Sequence, residues 1–322
     1  MHLAETLPVK LNELALRRCE RLVENAQAAR VAVVRDLSGV RIVDCGIHVR
    51  GGIEAGCALA EVCLADLGSV RIVPGDPTVW PGPAVVVQTD QPIAACMASQ
   101  YAGWQLGSKS FFAMGSGPMR AARGREPLFD QIGYREKPDV AVGILETGKS
   151  PPDDVCRRIA EDCGVDPERL TLLVAPTASL AGSIQIVART VETALHKLHE
   201  VGFDLRRIVS GFGSAPLPPV AANDLQGIGR TNDAVLYGGV ITLWVEGDDD
   251  SLTTMGPRVP SSASPDHGRP FIEIFERYQR DFYRIDPLLF SPAVVRFVNV
   301  QTGRSWEFGS CHPDILRTSF SG

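Results

Sequence analysis

The apolar positions of this chain change period repeatedly, and each change marks an element. Leu11, Leu14, Leu22 and Ala26 fall on one side of a helical wheel, which predicts a helix over 10–29. "VAVVRDLSGVRIVDCGIHV" (31–49) predicts two strands paired around Ser38-Gly39. A helix over 52–66, a strand over 69–75 and a Pro-rich connection through "DPTVWPGP" follow. "DVAVGILET" (139–147) predicts a strand. "SPPDDVCRRIAEDCG" predicts a helix with Ser150 as its N-cap and Gly164 just past its end. "DAVLYGGVITLWVEG" (233–247) reads as strand-rich, with Gly238-Gly239 marking a bulge or turn. A helix over 269–282 precedes a closing hairpin, "AVVRFVNV" and "RSWEF" around Thr302-Gly303.

One arrangement occurs twice. "AVVVQTDQP" (84–92) enters a helix near 92–106 and is followed by "FFAMGSGP" (111–118). "LTLLVAPTAS" (170–179) enters a second helix and is followed by "RRIVSGFGSAP" (206–216). Both read as β-α-β units ending in a Gly-Ser-small-Pro turn, Gly115-Ser116-Gly117-Pro118 and Gly213-Ser214-Ala215-Pro216, and the echo suggests an internal duplication. Helices and strands mix without strict alternation, so the expected class is α+β (mixed α/β). The length and the echo suggest two lobes, cut approximately at 1–148 and 149–322, each free to be discontinuous.

The helix between the second pair of strands, "GSIQIVARTVETALHKL" (182–198), has an apolar stripe of Ile184, Val187, Val191, Leu195 and Leu198. Gln185, Arg189, Glu192 and His196 form a line facing away from it. An exposed ion pair and a carboxylate tuned by a cation have the same spacing. Exposed helical pairs at this spacing are common and worth about 0.2–0.5 kcal/mol. The residues themselves therefore leave Arg189–Glu192 a surface pair.

Composition narrows the classes. Of 322 residues, 44% are hydrophobic and 22% charged, ordinary usage for a globular protein. A net charge of −6 and no Lys/Arg-rich run argue against nucleic acid as a partner. No apolar run approaches the ~18 residues of a membrane helix, and the start lacks the apolar core of a targeting signal, so a cytoplasmic protein is expected. The eight cysteines are irregularly spaced without a C-x-x-C pair, as buried free thiols would be.

Motif chemistry removes further classes. There is no G-x-x-x-x-G-K-[ST] and no G-x-S-x-G. "GSGPMR" (115–120) begins like a dinucleotide fingerprint but carries Arg120 where the third glycine belongs. His196 and His199 lie three apart on a helix, yet no further ligands accompany them, so no metal is expected. Gly115, Ser116, Gly117 and Ser214 sit in loops whose backbone amides could approach a ligand, although tight turns need the same residues. Arg230, Thr231 and Asn232 stand before an apolar strand, where polar groups line clefts or simply form turns.

Longer stretches carry a family resemblance. "DCGIHVRGGIEAG" (44–56), "TDQPIAACMASQYAGWQ" (89–105), "FFAMGSGPMRA" (111–121), "LVAPTASLAGSIQIVARTVET" (173–193), "IGRTNDAVLYGG" (228–239), "VPSSASPDHGRPFIEIF" (259–275) and "IDPLLFSPA" (285–293) resemble methenyltetrahydromethanopterin cyclohydrolases, across nearly the whole chain. The resemblance implies reversible hydrolysis of the methenyl bridge of a tetrahydromethanopterin derivative to a formyl group. That reaction serves methane formation and formaldehyde oxidation. It further implies a cytoplasmic, metal-free homotrimer, two lobes flanking a pterin cleft, and no permanently bound cofactor, the pterin being substrate. It places the catalytic carboxylate on Glu192 and its cationic partner on Arg189. Gln185, on the same line, would orient water or substrate, and the Gly-Ser loops with Arg230-Thr231-Asn232 become candidate substrate contacts. The alternative is a protein that binds or delivers a reduced pterin without turning it over. A pterin-linked dehydrogenase would need a nicotinamide site, which the chain does not display.

Overall fold

The computed structural model describes residues 9–108 and 111–321. Residues 1–8, read above for a targeting signal, lie outside the described residues. Its strands are β1 Ala32–Arg35, β2 Arg41–Asp44, β3 Gly68–Pro74, β4 Pro83–Thr89, β5 Trp104–Gly107, β6 Phe112–Ser116, β7 Ala141–Glu146, β8 Leu170–Ala175, β9 Ile208–Pro216, β10 Val240–Val245, β11 Val294–Asn299 and β12 Ser305–Gly309. They form two six-stranded sheets, ordered β1-β2-β8-β7-β6-β5 and β12-β11-β10-β9-β4-β3, and each sheet takes strands from either side of residue 148. With helices packed on both, the class is α+β.

The first sheet is covered on both faces. Val142, Ile144, Leu173 and Ala175 meet helices Leu11–Glu24, Ile53–Cys63 and Leu180–Val187, while Leu145, Leu172 and Val174 meet helix Asp153–Cys163 on the other side. Hence β7 and β8, parallel and central, are near-continuous apolar runs. The second sheet buries one face only: Val85, Val87, Ile241, Leu243, Val295 and Phe297 enter the largest core. Gln88 and Phe212 on the opposite face are exposed.

The two copies of the repeated pattern do not make β-α-β units within one sheet. The first leaves β4 in the second sheet, passes through a π-helix over Ile93–Gln100, and enters β5 and β6 in the first. The second leaves β8 in the first sheet and returns to β9 in the second. The chain also crosses from β2 to β3, and the two crossings of the repeated pattern run in opposite directions and pack on one another. The helix expected over 92–106 ends at Gln100, because Tyr101 is extended and β5 begins at Trp104.

Glycines set how close the layers come. A Cβ on Gly56 would stand 2.8 Å from Ile184 Cβ, so helix Ile53–Cys63 approaches helix Leu180–Val187 closely only because that position is bare. Other expectations shift at their boundaries. Helix Asp153–Cys163 is capped by Pro152 rather than Ser150, whose hydroxyl instead meets His48 Nε2 at 3.0 Å, while Gly164 takes the expected left-handed cap. Residues 233–238 are helical, not extended. They end a helix Asp224–Gly238 in which the Asn223 side chain accepts the Gln226 amide, and strand β10 starts only at Val240. The helix expected over 269–282 is confined to Phe271–Arg277.

Candidate active site

The line of polar side chains on 182–198 is where the two crossings meet. Ser179 caps the first helix, its Oγ accepting the Gly182 amide at 3.0 Å. After Val187 the helix breaks: Arg189 N–H bonds Ile186 O at 3.0 Å, a tightened turn, and the Thr190 hydroxyl donates to Val187 O at 2.8 Å. A second helix, Thr190–Glu200, starts there. The expected single helix is therefore two, and Arg189 sits in the turn between them. The polar line does not face water either. Gln185, Arg189 and Glu192 are 1%, 6% and 4% exposed, because the ends of β6, β7 and the π-helix close over them.

The guanidinium of Arg189 organises the cluster. Its Nη2 donates to Glu146 Oε1 at 2.8 Å and to Ser116 Oγ at 3.0 Å. Its Nη1 donates to the Gln100 carbonyl and lies 3.8 Å from Glu192 Oε2. Gln185 Nε2 reaches the same Glu146 oxygen at 3.3 Å, and Gln100 Nε2 donates to Ala188 O at 3.3 Å. Cys63 Sγ lies 3.4 Å from Ser116 Oγ. Three buried polar atoms here have no partner among the described residues: Gln185 Oε1, Gln100 Oε1 and Arg189 Nε. Buried polar groups are satisfied as a rule, so these three mark a place where water or a polar ligand belongs. Beside them Tyr101 stacks on His196 with ring centroids 5.0 Å apart, and Arg120 stands 4.8 Å from the Tyr101 ring.

Burial pushes the Glu192 carboxyl up to about 7; Arg189 and then Arg120 pull it down without cancelling that effect, and Glu146 adds to the rise. Burial opposes the charge on Arg189, but the neighbouring carboxylates, Glu146 foremost and then Glu192, outweigh it and hold the guanidinium firmly protonated. A carboxylate that titrates near neutrality beside a fixed cation is suited to general base work.

Ser116, Gln185, Arg189 and Glu192 are thus brought together; the other candidates have local partners. The Gly117 amide, expected to be open to a ligand, donates to Ser99 O at 2.9 Å, and Gly115 leaves room for the Met119 methyl group within the fold. Ser214 lies in β9 next to Gly213, and it is Gly213 that faces Thr190, so strand alternation turns Ser214 to the opposite face. Arg230, Thr231 and Asn232 lie inside helix Asp224–Gly238, not before a strand. Thr231 and Asn232 bond back to the carbonyls of Gly227 and Ile228, each at 2.8 Å, and Arg230 reaches Pro219 O at 3.2 Å. Sequence reasoning missed Glu146, Gln100 and Cys63. Only Glu146 carried a signal, as the lone carboxylate closing the all-apolar strand "AVGIL".

A groove of about 1030 Å³ lies elsewhere, between helices Leu11–Glu24 and Ile53–Cys63 and strands β3, β4 and β9. Its two arginines are paired within it, Arg18 with Glu61 at 2.7 Å and Arg21 with Asp66 at 2.5 Å, and it touches none of Gln185, Arg189 or Glu192. Unlike this groove, the cluster holds a neutral-range carboxyl and unpartnered buried polar atoms.

The sequence model of the family described as Cyclohydrolase (MCH) matches residues 10–320. The chain belongs to the cyclohydrolase (MCH) family. It is 50% identical over 289 residues to a methenyltetrahydromethanopterin cyclohydrolase of Rhodopirellula baltica, covering 88% of this chain and 87% of that one. Proteins of the same name from Methylobacillus flagellatus and Methanosarcina mazei are 46% and 41% identical, over 98% and 97% of this chain and 96% and 98% of theirs. In this cyclohydrolase-family chain, no group of three or more His, Cys, Asp or Glu side chains converges as metal ligands among the described residues. Nor is any described helix long and apolar enough to cross a membrane.

Proposed function

We propose that this chain hydrolyses the methenyl bridge of 5,10-methenyltetrahydromethanopterin to a formyl group, reversibly, with Glu192 as general base. The observation that carries the reading is the buried Glu192 carboxyl, 3.8 Å from Arg189 and pushed up to about 7, in a chain aligned end to end with proteins named for this reaction. The methenyl carbon belongs to a cationic amidinium and is already electrophilic, so the reaction needs a placed water and a base rather than a Lewis acid. Glu192 takes a proton from water as the oxygen adds to the carbon. It returns that proton to the departing ring nitrogen as the C–N bond breaks, and the adduct's hydroxyl proton leaves as the formyl carbonyl forms. The carboxylate also attracts the cationic substrate. Gln185 and Gln100, each with a buried unpartnered Oε1, would accept hydrogen bonds from the water or the pterin. No resident cofactor is required.

Loss of methenyl-pterin absorbance tests the reading. Purified protein is expected to consume the substrate quickly, equally with and without chelator, with kcat/KM rising as pH increases through about 7, where burial places the Glu192 carboxyl. Substrate bound without turnover would make the protein a pterin carrier. Assembly as a homotrimer belongs to the same proposal. Its check is a native mass three times the 34.7 kDa of one chain.

A further inference from the structure

We propose that Glu146 is a positioning residue: it holds the Arg189 guanidinium and keeps that cation from closing onto Glu192. The inference rests on the reading of Glu192 as the base. Arg189 has two carboxylates within reach and engages them unequally. Glu146 Oε1 is at hydrogen-bond distance, 2.8 Å from Nη2, whereas Glu192 Oε2 is 3.8 Å from Nη1, beyond it. Glu146 also accepts Gln185 Nε2 at 3.3 Å, so one carboxylate fixes two of the polar side chains along that line. Its backbone makes it a stiff anchor. It is the last residue of β7, laddered to Met114 on one side and Ala175 on the other. The Glu146 side chain is 19% exposed, so its own charge remains hydrated while those of Arg189 and Glu192 are not.

Released from Glu146, the cation would have one carboxylate left to neutralise it, and that is Glu192. A fully engaged Arg189–Glu192 pair would make Glu192 a weaker base. The other groups around Glu192 do not substitute for this control. Arg120, from the turn after β6, is committed to Glu126 through Nε at 3.1 Å. Burial pushes up Cys63 on helix Ile53–Cys63, Cys96 on the π-helix and Tyr101 beyond it, so all three are uncharged near neutrality. Burial likewise disfavours the charged form of His196, one turn along from Glu192. The charges that act are Arg189, Arg120 and Glu146.

The test reads Glu192 directly as well as through catalysis. In infrared titration of the whole protein, the band of protonated Glu192 is the one that Glu192→Gln removes. In Glu146→Gln its midpoint is expected to move lower by about one pH unit, since a lost negative neighbour and a tightened positive one act in the same direction. The rising limb of kcat/KM is expected to follow it. Glu146→Asp, which keeps the charge on a shorter arm, is expected to lie between Glu146→Gln and the unaltered protein. A band that stays in place in folded Glu146→Gln, or moves higher, overturns the inference whatever the kinetics show. A band that moves while the rate profile does not would leave Glu146 its positioning role and overturn Glu192 as the base. Loss of activity at every pH in Glu146→Gln, equal to that in Glu192→Gln, would make Glu146 a catalytic group and also overturn the inference.

Discussion

Glu192→Gln is expected to lower kcat about 10²–10⁴-fold, the range for loss of a positioned general base, while KM changes only a few-fold. The substitution keeps the shape of the side chain. Arg189 retains Glu146, Ser116 and the Gln100 carbonyl, so the cluster keeps its framework. The same variant is expected to be more stable than the unaltered protein at pH 8. In the fold the carboxyl titrates near 7 instead of its ordinary 4.5, so the native state disfavours the anion. The unaltered protein therefore loses stability relative to the glutamine variant as pH rises from 4.5 through 7, and the difference disappears below 4.5. Thermal melts at pH 4 and pH 8 beside initial rates would show the pairing of lost activity with gained stability, which marks a residue retained for function. A surface ion pair would show neither effect. Full activity in the variant would remove Glu192 from the mechanism.

Why that residue could be named from sequence, and its surroundings could not, follows from what periodicity measures. Alternation and helical spacing report which side of one element meets one layer. They locate strands such as β7 and β8, the hairpins at Ser38-Gly39 and Thr302-Gly303, and the left-handed stop at Gly164. They assign Gln185, Arg189 and Glu192 to the outside because those side chains face away from the apolar stripe. In the fold that side meets the other crossing segment, so the line is polar and buried at once. Resemblance, not spacing, singled out Glu192 and Arg189.

Helix Asp224–Gly238 was hidden for a different reason. Gly227 and Gly229 weaken a helical reading, but a Cβ at Gly227 would lie 3.0 Å from Thr177 Cγ2 and one at Gly229 3.2 Å from Ile272 Cβ. The glycines are there for close packing, which a single sequence does not display. Likewise the repeated strand-helix-strand order is real, but nothing local shows that its strands belong to different sheets. That exchange brings Gln100 and Ser116 from one crossing against Arg189 from the other.

Arg189→Ala is the second large expected effect, and its direction with pH opposes that of Glu146→Gln. Removing the guanidinium leaves the Glu146 and Glu192 carboxylates facing one another and takes donors from Ser116 and the Gln100 carbonyl. Breaking a buried pair by deleting one partner costs about 3–5 kcal/mol. The cost should be greater at pH 8, above the titration of the Glu192 carboxyl in the unaltered protein, than at pH 5, where that carboxyl is protonated in the fold. Arg189 is also the largest influence pulling the Glu192 carboxyl down. Without it that group titrates higher still, so the rising limb of kcat/KM moves to higher pH, and activity falls more at pH 7 than at pH 9. Arg189→Lys restores the charge but not the planar fork that spans Gln100, Ser116 and Glu146, so it should recover stability in part and pH dependence in part. Urea melts at pH 5 and pH 8, with rate profiles for both variants, would check each step. An equal loss of stability at both pH values, with an unmoved limb, would mean that Arg189 holds the cluster together without tuning its base.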